Sequence, residues 1–186
     1  MNEINFTSLL IPIEKAKFST ITTQIGEQYH AKYPWNFDTA VVGADVFTKG
    51  ICDCSGCIVS DGQQAIALHL NPEEELNHSL YFLKRCFRNK FCLNRPDLTA
   101  IVIGSKDTKK SNHIFENFIS FLKEANIPTT ILKESKDPVS IAYKSSSDTF
   151  YITSESIDTD LKNNLTNFET LRKNFKQFIL SEEDEI

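Results

Sequence analysis

The chain has 186 residues, 40% of them hydrophobic and fourteen of them Phe, which is enough for one buried core. Twenty Lys and Arg against twenty-five Asp and Glu leave a net charge of −5, so nucleic acid and anionic membranes are poor candidates for the main partner. No run approaches the roughly 20 apolar residues of a membrane span, and the short apolar stretch Leu9 to Ile13 lacks a basic leader and contains Pro12, unlike a secretory signal.

From the N-terminus, Phe18, Ile21, Ile25 and Tyr29 recur at steps of three and four and predict an amphipathic helix over about 14–31, closed by Tyr33-Pro34-Trp35. The run from Thr39 to Phe47, TAVVGADVF, predicts one short buried strand interrupted by Gly43. Cys57–Ser60 and Gln64–Leu70 flank Asp61-Gly62, a pair suited to a hairpin turn. Asn71-Pro72 and the three glutamates after them predict a helix start, and the helix continues through Leu76, Leu80, Leu83 and Phe87. LTAIVIG, from Leu98 to Gly104, reads as a strand buried on both faces. A helix over about 111–125 follows, with Ile114, Phe118, Phe121, Leu122 and Ala125 on one stripe, and Asn126-Ile127-Pro128 stops it.

Three more strands are expected at Thr129–Lys133, Val139–Lys144 and Thr149–Thr153, the last two joined by SSSD. From Thr159, the residues Leu161, Leu165, Phe168, Leu171, Phe175 and Phe178 predict one closing helix of about five turns. The mixed order predicts an α+β fold, a β-sandwich or strongly bent mixed sheet flanked by helices. The expectation is a single, monomeric catalytic domain over 1–186, with its core at about 38–180 and a flexible acidic tail at 181–186.

Chemistry concentrates in GICDCSGCIVSDGQQAIALHL, residues 50–70. A cysteine nucleophile must form thiolate, and a histidine within hydrogen-bond reach can take its proton and later protonate a leaving amine. Cys57 and His69 are the candidates. A two-residue loop at Asp61-Gly62 would set Cys57 opposite Ile66 and turn His69 to the other face. A three-residue loop, Asp61 to Gln63, sets Cys57 opposite Ala67 with His69 on the same face, at a diagonal of roughly 7–8 Å. The catalytic reading requires the second register. Ser55-Gly56 permits a tight turn whose amides around Gly56 and Cys57 would face a developing oxyanion.

The Ser55-Gly56-Cys57 triplet at the start of a strand, with His69 twelve residues later, resembles the LSGC motif and cysteine–histidine spacing of Burkholderia lethal factor. It is also similar to the catalytic domains of cytotoxic necrotizing factors and to the chemotaxis deamidase CheD. Downstream, strand LTAIVIGS, helix HIFENFISFLKEANIP, strand TTILK and hairpin VSIAYKSSSDTFYIT resemble the order in CheD, so the resemblance covers about Val41 to Thr153. It implies a β-sandwich with flanking helices and cofactor-free deamidation of an exposed glutamine on a partner protein, with Cys57 and His69 catalytic. The relatives place an orienting threonine six residues before the cysteine, and that position here is Ile51. A backbone carbonyl, Asp53 or Ser55 would have to orient the histidine instead. Ile103-Gly104-Ser105 lacks the double glycine of CheD, which favours a toxin- or effector-type enzyme acting on a host protein.

Other readings stay open. Cys52, Cys54, Cys57 and His69 are a possible Cys₃His zinc set, and the neighbouring cysteines a possible redox sensor. The Phe-bearing C-terminal helix would suit a noncatalytic protein-interaction domain. Cys86 and Cys92 read as structural, the basic residues from Lys84 to Arg95 as a solvated face, and His30, His78 and His113 as helix residues without a role. The loop KDTKK lacks the glycines of a phosphate loop. Five cysteines without framework spacing point to a soluble protein in a reducing cytosol, reached in one version by delivery into a host cell without a Sec signal.

Overall fold

The computed structural model describes residues 8–32, 40–70, 98–104, 109–132 and 137–174. Among the described residues, ten strands form two five-stranded mixed sheets. The first sheet holds β1 (Leu9–Pro12), β10 (Thr149–Thr153), β9 (Val139–Lys144), β4 (Val46–Ile51) and β2 (His30–Ala31), in that order. The second holds β3 (Ala40–Gly43), β6 (Ala65–Leu70), β5 (Ser55–Ser60), β7 (Thr99–Ile103) and β8 (Thr129–Leu132). The helices are α1 (Lys15–Ile25), α2 (Lys109–Glu124), α3 (Glu155–Lys162) and α4 (Asn167–Asn174). The α+β class is as expected.

Side-chain alternation sorts the core into three layers. Between the sheets, Ile58, Ala65, Ala67, Ile101, Ile103 and Leu132 meet Val46, Val139, Ile141, Tyr143, Phe150 and Ile152. On the outer face of the second sheet, Cys57, Val59, Ile66, Leu68 and Val102 meet Phe115, Phe118, Phe121 and Leu122 of α2. On the outer face of the first, Phe47 and Ala142 meet Phe18, Ile21 and Ile25 of α1. Covered on both sides, β5 and β7 are buried at every position.

Several boundaries differ from the sequence reading. The first helix stops at Gly26, whose φ of 93° leaves the helical region; Tyr29 then lies in a 3₁₀ turn and His30 in a strand rather than on the helix. The expected strand 39–47 is two strands, β3 and β4, in different sheets. Asp45, in the corner between them, accepts hydrogen bonds from the backbone N–H (2.9 Å) and hydroxyl (3.1 Å) of Ser145. The closing helix is also two, α3 and α4, separated where Asn164 adopts φ of 60°. Ser154 caps α3 by accepting from the Ile157 N–H at 3.2 Å. β1, which pairs in parallel with β10, was not anticipated. The expected helix from Asn71 to Phe87, Cys86, Cys92, His78 and the tail lie outside the described residues.

The hairpin bearing the candidate residues has the deciding register. Ser60 pairs with Ala65, so the connection is four residues, 61–64. Asp61 closes it: its carboxylate accepts from the Gln63 and Gln64 N–H groups, both at 2.9 Å, while the Ser60 hydroxyl accepts from Gly62 N–H at 3.0 Å. That one added residue shifts the ladder by one and reverses the expected faces.

Candidate active site

Cys57 pairs with Leu68, and His69 pairs with Gly56. Paired residues share a face, so Cys57 points toward α2 and His69 points between the sheets. The expected Cys57–His69 pair is therefore not formed. Cys57 is 0% exposed, and burial pushes its thiol pKa well above the usual range, which keeps it a protonated core residue.

His69 instead meets a residue of the other sheet. Its Nδ1 lies 2.8 Å from Thr48 Oγ1, with both side chains buried. Thr48 faces inward from β4 by plain alternation with Val46, paired with the inward-facing Ile141, and the strand carries a bulge just after it. Thr48 pairs with Ile141 and Ile51 with Val139, so β4 has one extra residue. Gly50, at φ of 68°, takes up the irregularity, and its N–H donates to Ser140 Oγ at 3.1 Å. The bulge turns Ile51 to the inter-sheet side that Thr48 already faces.

Gly56, opposite His69, makes this close approach possible. A Cβ there would collide with Ile51 Cδ1 and come within 3.6 Å of Thr48 Cγ2. Ile51, expected at the orienting position, is thus an apolar wall laid on Gly56. Of the other expected orienting groups, Asp53 is exposed, and Ser55 is buried with its Oγ lacking a hydrogen-bond partner among the described residues.

Burial drives the His69 pKa down to about 4, with the charge of His30 adding a smaller push. His30 is itself depressed, mainly by burial, stacks on Phe47 at 4.4 Å and contacts Glu27 Oε2 at 3.2 Å. The histidine passed over in the sequence is thus part of His69's electrostatic surroundings. His113, on α2, contacts Asn117.

β4 belongs to one sheet and β5 to the other, so residues 52–54 are the crossing between sheets. Cys52 and Cys54 in that bend are thiols and partly accessible, unlike Cys57. The Cys₃His zinc set is not assembled, because Cys57 and His69 lie on opposite faces of one sheet. Among the described residues, no three His, Cys, Asp or Glu side chains are grouped to hold a metal ion.

The contact between Thr48 and His69 joins residues twenty-one apart in sequence and was not anticipated. Six residues before Cys57 stands Ile51, and before Cys52 stands Val46, but before Cys54 stands Thr48. No family model matches the chain, and no curated protein matches it.

Proposed function

We propose that the chain is a cysteine-dependent protein glutamine deamidase whose nucleophile is Cys54, with His69 as its base and Thr48 as the residue that orients His69. The observation that carries this reading is the buried 2.8 Å contact between Thr48 Oγ1 and His69 Nδ1. A buried histidine held by one ring nitrogen presents the other in a fixed direction. Cys54 lies in the bend that enters β5, two residues before Gly56, which is the ladder partner of His69. The threonine spacing in the resembling deamidases is then met by Thr48 and Cys54, whereas the Ser-Gly-Cys triplet and the twelve-residue spacing belong to Cys57, Cys54 standing fifteen residues before His69.

In this mechanism the Thr48 hydroxyl accepts the Nδ1–H of His69, leaving Nε2 unprotonated. His69, neutral at working pH because of its burial, takes the Cys54 proton as Sγ attacks the carboxamide carbon of a glutamine. Amides of the bend at 52–54, ahead of the β5 ladder, stabilise the oxyanion. The imidazolium returns its proton to the departing ammonia, leaving a thioester. His69 then deprotonates a water that attacks the thioester and releases glutamate and the thiol. The target gains one negative charge, and the chemistry uses no cofactor. Protein substrates with exposed glutamines fit a thiol at a surface bend, and a reducing cytosol, including that of a host cell, keeps the thiol usable.

The test is incubation with glutamine-containing peptides and whole-cell protein in heavy-oxygen water, mapping glutamates that acquire the label. Wild type and Cys57→Ala should label the same sites, while Cys54→Ser and His69→Ala should label none. Thr48→Val should slow the reaction about 10- to 100-fold, with Thr48→Ser restoring most of the rate. Labelling that survives Cys54→Ser but not Cys57→Ala would contradict the assignment.

A further inference from the structure

We propose that Cys52 and Cys54 form a reversible disulfide under peroxide, so that the bend between the sheets is a redox switch. The inference rests on the assignment of Cys54 as nucleophile and goes beyond it by giving Cys52 a role. The bend holds two partly accessible thiols separated only by the exposed Asp53, whereas the third cysteine of the segment is sealed on the far face of β5. Two residues apart, the Cα atoms are at most about 7 Å apart even when extended, and a bend shortens this into the range a disulfide spans. A thiol activated for attack on a carboxamide is also activated for attack on peroxide, and an accessible neighbour is what resolves the product.

The step balances without a cofactor. The Cys54 thiolate attacks one peroxide oxygen; an S–O bond forms, the O–O bond breaks, and hydroxide leaves and takes up the proton held by His69. The Cys52 sulfur then attacks the Cys54 sulfenic acid; an S–S bond forms and water leaves. Two electrons pass from the two sulfurs to the peroxide. The disulfide removes the nucleophile while shielding it from irreversible over-oxidation, and a dithiol reductant restores both thiols. The enzyme is thereby silent in an oxidising medium and active in a reducing one.

The experiment treats the whole chain with rising hydrogen peroxide, blocks remaining thiols with an alkylating agent, and maps each cysteine by mass spectrometry. The expected result is a Cys52–Cys54 disulfide within one molecule, Cys57 still alkylated after denaturation, and full reversal by dithiothreitol. In Cys52→Ser the sulfenic acid of Cys54 should be trapped by dimedone and then pass to sulfinic and sulfonic acids that dithiothreitol does not reverse. Over-oxidation of Cys54 in wild type without linkage, or disulfides only between molecules, would overturn the switch. A parallel alkylation series on the reduced protein separates the two failures. If Cys54 reactivity depends on His69 but no disulfide forms, only the switch is lost. If Cys54 shows no dependence on His69, the nucleophile assignment is lost, and the switch with it.

Discussion

Thr48 carries no charge, so its influence on His69 works through direction and tautomer rather than through basicity. The basicity is set by burial: His69 is 3% exposed, and its pKa falls to about 4. Because the folded value lies below the ordinary 6.5, the unfolded chain binds more protons between the two. The contribution to stability is full above about pH 6.5 and is lost as pH falls toward 4. His69→Gln should therefore flatten the dependence of denaturation midpoint on pH across that window, by an amount on the order of 1–3 kcal/mol; an unchanged slope would mean His69 is not depressed. Cys57 makes a simpler case. As a core residue its truncation to Ala should cost about 1 kcal/mol and leave catalysis intact, which urea titration and the labelling assay read separately. The hairpin that carries His69 was legible from Asp61-Gly62 between two strand-like runs. The contact between Thr48 and His69 was not, because the Ser55-Gly56-Cys57 triplet drew the count to Ile51.

At the scale of elements, two irregularities decide which side chains meet. The bulge at Gly50 turns Ile51 inward beside Thr48, and the four-residue loop closed by Asp61 turns His69 inward and Cys57 outward. Strand periodicity shows which residues alternate but not which parity faces the core. That depends on a loop length one residue long or short, and here on a carboxylate bonding two amides. Helix α2 and strands β7, β8, β9 and β10 were legible because their patterns are local. The corner at Asp45, the parallel edge strand β1 and the interruption between α3 and α4 were not. The first two rest on contacts remote in sequence, and the third leaves the apolar spacing on either side unchanged. Gly56 links element to site most directly. Gly56→Ala would drive Ile51 away from β5 and draw β4 with it, so we expect a loss of about 1–3 kcal/mol and at least a tenfold fall in deamidation. Stability without activity loss would show that Ile51 and Thr48 move independently.

Across the molecule, the proposed site is shared by two sheets: Thr48 comes from one, His69 from the other, and Cys54 from the crossing between them. Its geometry is therefore only as good as the inter-sheet packing, whereas α2 supports the second sheet from outside. Ile141 is the paired neighbour of Thr48 and is fully buried between the sheets. Ile141→Ala should cost about 2–5 kcal/mol and also lower turnover in conditions where the variant remains folded. Phe121→Ala, on the face of α2 that packs on the second sheet, should cost a comparable amount with turnover preserved. Equal turnover in the two folded variants would argue against a site built across the sandwich.

The central claim is that Cys54, activated by His69, is the reactive thiol. Alkylation with substoichiometric iodoacetamide across pH 5 to 9, mapped by mass spectrometry in wild type, His69→Ala and Thr48→Val, tests it most directly. The account predicts that Cys54 is modified first in wild type, that Cys57 stays unmodified until denaturation, and that both substitutions slow Cys54 while leaving Cys52 unchanged. Modification of Cys57 ahead of Cys54, or a Cys54 rate equal to that of Cys52 and indifferent to His69, would contradict it.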